Sequence, residues 1–134
     1  MIPKFRAWDT TKKEMFKDTF AITESGQVVV VDQSSVFVSP DYVFVDNLVI
    51  MQSTGLKDKN GQEIFEGDIL EVTDKHSWLE IVSYSQEKAM FVTEEINREF
   101  KVPESPLYDL FDTNIFKFKV IGNIYENQEL LEVE

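Results

Sequence analysis

Cysteine is absent from this chain of 134 residues, and histidine occurs only once. Without cysteine, a disulfide framework and thiolate metal sites are excluded. A single histidine cannot supply a typical zinc site. The longest apolar runs are far shorter than the ~20 residues that a membrane-spanning helix needs. The N-terminal residues show no apolar stretch after the basic ones, so we expect no signal peptide and a cytoplasmic protein.

Basic residues are also scarce: 13 Lys and Arg stand against 25 Asp and Glu, for a net charge of −12. Affinity for phosphates comes mainly from Lys and Arg, so direct binding to nucleic acid is not expected. The same charge repels anionic membranes. Two interpretations of the acidic surface remain, either an ordinary solvated surface or a mimic of nucleic acid that binds a basic protein.

The chain is rich in apolar residues, which make up 43% of it and include eleven phenylalanines. A polar turn around Lys12 predicts a hairpin of residues 5–8 and 14–16, with Trp8 packing against Met15. β-Branched and aromatic residues then favour strands over helices. Strands are predicted at residues 20–22, 28–31, 36–38, 42–45 and 48–51. Several of these runs are apolar on both faces, so either the rest of the chain or another copy must cover them.

Residues 54–70 hold three of the five glycines and a dense run of turn-forming residues. Asn60-Gly61 predicts a tight turn, and Gly67-Asp68 predicts a second turn that opens a strand. We predict the later elements as strands at residues 69–72, 78–84, 89–93 and 116–120, a loop at 103–106, helical turns at 107–111 and a last turn capped by Asn127. This spacing predicts a mainly β fold, a sandwich or small barrel. We divide the chain into an N-terminal β arm, residues 1–52, and a C-terminal β domain, residues 53–134.

Three sequence blocks together resemble the YopX family of phage and prophage proteins. The blocks are Phe5-Arg6-Ala7-Trp8-Asp9, residues 54–70, and residues 120–127 with Leu130 and Leu131. Their order and spacing match over essentially the full length. The resemblance implies a β-rich protein with an SH3-like small β-barrel in the C-terminal part and a bacteriophage or prophage origin. The resemblance does not supply a biochemical activity, and it gives no catalytic residues to transfer to this chain.

The central stretch contains four acidic residues whose oxygens suit a divalent cation. They are Asp58, Glu63, Glu66 and Asp68. The EF-hand pattern fails, however, because placing Gly61 at its sixth position puts Leu56 and Gly67 at ligand positions. We therefore favour turn and strand-start hydrogen bonding for these carboxylates. A Walker-type phosphate loop is also excluded, since Gln62 stands where lysine is required.

His76 precedes Ser77 in the sequence, but adjacency gives no nucleophile–base geometry, and we expect His76 in an exposed hairpin loop. Several aromatic residues permit two interpretations, a ligand-binding patch of the kind that SH3-like folds use for peptides and ordinary packing, and we favour ordinary packing. These aromatics are Trp8, Trp78, Tyr84, Phe91 and Tyr125. We assign no catalytic, cofactor-binding or metal residue and no cofactor.

The leading hypothesis is a non-enzymatic protein-binding or self-assembly module that forms homo-oligomers through β elements or binds a host or phage protein. The alternatives are a metal-dependent enzyme that uses the cluster from Asp58 to Asp68, and the acidic mimic of nucleic acid. The fold alone does not decide among them, because one fold hosts many functions.

Overall fold

The structure, a computed structural model, describes residues 2–32, 39–96, 102–112 and 114–132. Over these residues the protein is mainly β, as predicted, and the strand pairs whose registers are defined run antiparallel. Within these ranges, no helix has the length and apolar character needed to cross a membrane. The strand predicted at residues 36–38 lies outside the described residues.

The chain forms two compact units, which we call the small unit, Arg6–Ile50, and the large unit, Met1–Phe5 with Met51–Glu134. Strand β6 runs from the small unit into the large one. The first six strands are β1 Phe5–Asp9, β2 Glu14–Met15, β3 Phe20–Ile22, β4 Val28–Asp32, β5 Asp41–Phe44 and β6 Leu48–Lys57.

In the small unit, β1 and β2 form the predicted hairpin, and Trp8 lies directly opposite Met15. Strands β3, β4 and β5 form a separate antiparallel sheet in that order. Strand β5 is therefore an edge strand of this sheet. The turn between β3 and β4 contains Gly26, as its sequence predicts.

The large unit contains a five-stranded antiparallel sheet with the order β11-β10-β9-β8-β12. Its elements are β7 Glu63–Phe65, β8 Asp68–Thr73, β9 Ser77–Ser85, β10 Met90–Glu95, β11 Ser105–Pro106, helix α1 Asp109–Asp112, β12 Lys117–Asn123 and a 3-10 turn Gln128–Leu131. Gly61 and Gly67 both adopt positive φ, at 82° and 85°, which explains glycine at these two turns.

A contiguous hydrophobic core lies in the large unit. Its buried members are Ile64, Leu70, Val72, Val82, Leu107, Leu110 and Phe118. Alternation along β8 explains part of the set, since Leu70 and Val72 point to the same face. The segment from Leu107 to α1 adds side chains from outside the sheet, and Phe111 contacts Phe118 edge to face at 4.6 Å.

Three local predictions need correction. Strand β6 continues to Lys57, because Thr54 and Gly55 remain in the strand rather than in the following turn. Ser105 and Pro106 form a short edge strand instead of a loop, which suits a residue without an N–H. The side chain of Asn127 does not cap the 3-10 turn. The division between residues 52 and 53 stays a prediction.

Candidate functional site

Asp58 begins the turn between β6 and β7, and its carboxylate is only 7% exposed. Its Oδ1 accepts backbone N–H groups from Asn60 at 2.9 Å and Gln62 at 2.8 Å. Its Oδ2 accepts the N–H of Val120 at 2.8 Å, from strand β12. The same carboxylate thus shapes the turn and joins it to a strand 62 positions away. These three bonds explain the position of the buried Asp58 side chain through turn geometry alone.

The other acidic residues of the stretch also make local contacts. Asp68 is almost fully buried, and its Oδ2 accepts the N–H of Phe65 at 2.8 Å. Glu66 Oε1 accepts the N–H of Gln52 at 2.9 Å. In the described part of the chain, no group of three or more acidic or histidine side chains is placed to hold a metal ion. The carboxylates that suggested a cation site are therefore engaged in turn geometry.

Glu63 forms an ion pair with Lys4, at 3.1 Å from Nζ to Oε1. A hydrogen bond from Ser53 and then the Lys4 ammonium hold the pKa of Glu63 below its usual value. The backbone N–H of Ser53 also donates to the carbonyl of Lys4, at 2.7 Å. Glu63 thus belongs to the contact between the N-terminal residues and β6, and not to a shared site with Asp58.

In the other two sequence blocks, too, a side-chain oxygen accepts backbone N–H groups of a turn. Asp9 Oδ1 accepts backbone N–H groups from Thr11 and Lys12 at 2.9 and 3.0 Å, and these bonds lower its pKa, with the Lys12 bond as the largest cause. Asn123 Oδ1 accepts the N–H groups of Tyr125 and Glu126 at 3.0 and 2.8 Å. Each block therefore includes an Asp or Asn side chain that holds a turn.

His76 lies in the exposed turn between β8 and β9, as predicted. Its backbone N–H donates to Asp74 Oδ1 at 3.0 Å, and this bond is the main reason that the pKa of Asp74 is lowered. The Ser77 hydroxyl shares a hydrogen bond of 3.0 Å with Thr73 rather than with the imidazole. Nothing in this geometry activates Ser77 as a nucleophile.

Three of the five aromatics that the sequence analysis singled out, Trp78, Tyr84 and Phe91, have defined ring contacts in the large unit. Trp78 and Tyr84 are six residues apart on β9, which is roughly 20 Å along an extended strand. Tyr84 packs on Phe91 at 5.3 Å, whereas Trp78 packs on Phe116 at 5.9 Å. Trp8 belongs to the small unit and is 9% exposed. These contacts are of the ordinary packing kind that the sequence interpretation favoured over a ligand-binding patch.

An exposed apolar surface lies on β5, within the run 42–45 that the sequence predicts as a strand. Tyr42, Val43 and Phe44 are 63%, 53% and 66% exposed, although all three are large and apolar. They follow one another on the edge strand of the β3-β4-β5 sheet, so apolar side chains emerge on both faces. The signal in the sequence was the apolar run that lacked polar alternation.

Clefts flank β5 within the small unit. One, of about 470 Å³, is lined by Val30, Val31 and Val43 among others. The other, of about 530 Å³, is lined by Val28, Phe44 and Leu48 among others. Edge strands of soluble proteins usually carry charges or prolines that discourage pairing. β5 carries only Asp41 at its start, and among the described strands β4 alone pairs with it.

The comparisons with known proteins agree with the fold. A crystal structure of protein EF1440 from Enterococcus faecalis is similar, with 34% sequence identity and a TM-score of 0.62, over 98% of this chain and 99% of that chain. No curated protein matches the chain. The family model described as YopX protein matches residues 4–132, nearly the whole length. The chain therefore belongs to the YopX protein family.

Proposed function

We propose that this chain is a non-enzymatic protein-binding module that assembles with a second copy of itself through β5. The observation that carries the proposal is the exposure of Tyr42, Val43 and Phe44 on the edge strand Asp41–Phe44. Within the ranges that the structure describes, no strand pairs with the outer edge of β5, and such an edge is a template for strand addition. Pairing covers apolar side chains and satisfies backbone groups of the edge in one step.

A second copy suits this edge because the sequence around Val43 is nearly self-complementary. Two antiparallel copies related by a twofold axis at Val43 place Tyr42 of one copy opposite Phe44 of the other. Aromatic cross-strand pairs contribute roughly 0.2–1 kcal/mol each. The same register places Asp41 opposite Val45, so the two Asp41 carboxylates do not face each other.

The net charge of −12 gives this assembly a distinctive salt dependence. Two copies of like charge repel, and salt screens that repulsion over a Debye length of about 10 Å at 0.1 M. The contact itself is apolar and gains nothing from low salt. Association through β5 should therefore strengthen as the ionic strength rises.

Multi-angle light scattering over a concentration series, at low and high salt, tests the proposal. We expect the average mass to rise from that of a monomer towards that of a dimer, and to rise further in high salt. Val43→Lys places two ammonium groups together at the twofold axis and should keep the chain monomeric. Ile115→Lys is the matched control, because Ile115 is equally apolar and 65% exposed but lies in the large unit.

Two results would overturn the proposal. One is a monomer at every concentration and salt level. The other is a dimer that Val43→Lys and Ile115→Lys leave equally intact. A third result would be a chain that is monomeric alone but pairs through β5 with a different protein. The partner would then be a host or phage protein and not a second copy, and Val43→Lys should abolish that binding.

The same proposal includes the type of barrel, the origin of the protein and its compartment. The antiparallel order β11-β10-β9-β8-β12 supports an SH3-like small barrel in the C-terminal part. Membership of the YopX family supports a phage or prophage origin, and the lack of cysteine fits the bacterial cytoplasm. The hydrogen bonds at Asp58 and Asp68 favour a binding module over the metal-dependent enzyme.

A further inference from the structure

The edge strands of the two sheets differ in how they are protected against pairing with another chain. The five-stranded sheet ends on β11 and β12, and the β3-β4-β5 sheet ends on β3 and β5. Strand β11 has two residues, one of them proline, and β3 has three residues, so both offer only short edges. Strand β12 has seven residues and is the longest of the four. It is therefore the edge at which protection matters most.

The turn between β6 and β7, residues 58–62, lies on the outer edge of β12. Among the described strands, β8 alone pairs with β12. The N–H of Lys59 donates to the carbonyl of Phe118 at 3.4 Å, and Asp58 Oδ2 accepts the N–H of Val120 at 2.8 Å. Residues two apart on a strand direct their backbone groups to the same edge. The turn thus supplies one donor and one acceptor where an added strand would place its own.

Two further features of β12 discourage pairing. Lys117 and Lys119 lie on one face of the strand, and Lys119 forms an exposed ion pair with Glu71 at 3.7 Å. Lysine is a common protection of edge strands. The register with β8 shifts between Val120 and Gly122, and such a bulge bends a strand away from regular pairing. The bulge disrupts the last residues of β12, and the turn covers the regular part before it.

A second β12 strand is the occupant that this arrangement excludes. Two antiparallel copies of β12 with a twofold axis at Lys119 place Phe118 of one copy opposite Val120 of the other. These are the two residues whose outer backbone groups the turn occupies. The two Lys119 ammonium groups would also meet at the axis and repel. The turn and the lysine therefore oppose the same register.

We propose that the turn at residues 58–62 is an autoinhibitory cover, which keeps β12 of one copy from pairing with β12 of another. Strand β5, by contrast, contains neither lysine nor proline and exposes its apolar side chains. A subunit with one open edge pairs once and forms a closed dimer, whereas a subunit with two open edges forms open-ended chains. The cover thus limits assembly to a dimer. That limit rests on the proposed pairing of β5, but the cover itself does not.

Lys59→Pro tests the cover in the Val43→Lys background, where pairing through β5 is blocked. The N–H of Gly61 donates to the carbonyl of Asp58 at 3.0 Å, so Lys59 is the second residue of a four-residue turn, a position that suits proline. Proline lacks the N–H that Phe118 accepts, and its ring should displace the turn from β12. We expect light scattering over a concentration series to show the average mass rising from one subunit towards two.

Lys59→Ala in the same background is the matched control. Alanine removes the same ammonium group as proline does, but it keeps the backbone N–H that donates to Phe118. We expect this variant to stay monomeric over the whole concentration series. A difference between the two variants therefore reports the hydrogen bond to β12 and not the lost charge.

A single cysteine locates the new contact, because the chain has none of its own. In the register with its axis at Lys119, the two copies of this residue form a pair without hydrogen bonds, with Cα atoms about 4.5 Å apart. A disulfide spans this distance. With Lys119→Cys added and mild oxidation, cross-linked dimer should form in Lys59→Pro and not in Lys59→Ala.

Asp58→Asn is the second variant that opens the edge, and it decides the test if Lys59→Pro does not fold. It keeps an oxygen for the N–H groups of Asn60 and Gln62 but turns an amide donor towards Val120. We expect a smaller rise in average mass than with proline. Near-ultraviolet circular dichroism establishes which variants are folded.

Three results would overturn the proposal. The first is a folded opening variant that stays monomeric in the Val43→Lys background. The second is cross-linking that is equal in Lys59→Pro and Lys59→Ala. The third is loss of folding in both Lys59→Pro and Asp58→Asn, which would show that the turn holds the fold together rather than covering an edge.

The same variants with native Val43 separate this proposal from the pairing of β5. If both proposals are correct, Lys59→Pro should form assemblies larger than two subunits, whereas wild type stops at a dimer. If β5 does not pair, wild type stays monomeric and Lys59→Pro stops at two subunits. That outcome would refute the pairing of β5 and still support the cover on β12.

Discussion

The two units of this protein treat apolar residues in opposite ways. In the large unit, Ile64, Leu70 and Val82 are fully buried beneath strands and the segment leading into α1. In the β3-β4-β5 sheet of the small unit, Val29 is the one buried side chain among the described residues, while Tyr42 and Phe44 are more than 60% exposed. Similar apolar strand sequences are therefore buried or exposed according to whether a second layer covers them.

The contrast shows where a binding function can reside. The three blocks that carry the family resemblance hold turns, through Asp9, Asp58 and Asn123. The exposed apolar side chains of Tyr42, Val43 and Phe44 on β5 lie outside those blocks. In this chain the blocks therefore supply turns of the fold, and the exposed apolar surface on β5 lies between two of them.

The largest effect should separate the two units directly. Leu70→Ala removes a fully buried side chain from the core and should lower the free energy of unfolding by about 2–5 kcal/mol. Val43→Ala, on the exposed edge, should change it by less than about 0.5 kcal/mol in dilute protein. Urea unfolding followed by circular dichroism measures both. If both substitutions lowered the free energy of unfolding equally at a concentration where the chain is monomeric, the contrast between the two units would be wrong.

The second prediction concerns the turn at Asp58. Asp58→Ala leaves the N–H groups of Asn60, Gln62 and Val120 without their acceptor and should cost about 1–3 kcal/mol. Asp58→Asn keeps an oxygen for the turn but turns an amide donor towards Val120, so an intermediate loss is expected. Urea unfolding with and without millimolar Mg²⁺ or Ca²⁺ gives the measurement.

The same experiment separates turn geometry from cation binding. If Asp58 holds the turn, added cations leave wild type and Asp58→Ala equally unaffected relative to their own baselines. A variant that folds with unchanged stability, yet loses a cation-dependent rise in Tm, would instead restore the cation site that the acidic residues suggested. The large unit would then hold a functional centre that its hydrogen bonds conceal.

The sequence predicted most strands of the fold because alternation and turn residues are local signals. The Trp8–Met15 hairpin, the turn at Gly61 and the strand after Gly67 all follow from such signals. Errors arose where distant contacts decide. Thr54 stays in β6 because its hydroxyl donates to the carbonyl of Ile64 at 2.8 Å, and Asn127 is drawn to the N–H of Asn123 rather than to its own turn.

The candidate sites were less accessible from the sequence. Glu80 and Glu95 are fifteen positions apart, and only the register of β9 with β10 brings them together. The apolar run at residues 42–45 was recognised, but whether another layer covers it is a property of the whole fold. Sequence patterns identified the carboxylates that build turns, since those lie beside glycine and asparagine. They did not identify the opposite positions of Glu80 and Glu95 on neighbouring strands.

A third, smaller effect is expected at Gly122. A Cβ at this position would collide with Oδ1 of Asn127, whose side chain accepts the N–H of Asn123 at 3.1 Å. Gly122→Ala should therefore displace Asn127 and cost about 1–3 kcal/mol. In an Asn127→Ala background the collisions with Oδ1 and Cγ are removed and only the Cβ of residue 127 remains, at 3.1 Å, so the same substitution should cost less. Additive costs in this double-mutant cycle, from unfolding curves, would show that the two residues do not interact.

The smallest predicted effect lies in the small unit, in the response of Asp9 to acid. Backbone N–H groups of Lys12 and Thr11, with the Asn47 amide, lower the pKa of Asp9 from its ordinary value of 3.8. A carboxyl whose pKa is lowered by folding stabilises the protein above the unfolded pKa and loses that contribution as pH falls through the folded pKa. The gap in Tm between wild type and Asp9→Asn should therefore be constant near pH 7 and close below about pH 4.

Asp74 provides the matching measurement in the large unit, because the N–H of His76 lowers its pKa in the same direction. Asp74 is exposed, whereas Asp9 is buried and also accepts the Asn47 amide at 3.2 Å. Water competes for the bonds of an exposed carboxylate, so Asp74→Asn should show the same closing gap with a smaller amplitude. A larger gap at Asp74 would mean that the exposed turn of the large unit, and not the hairpin of the small unit, limits stability in acid.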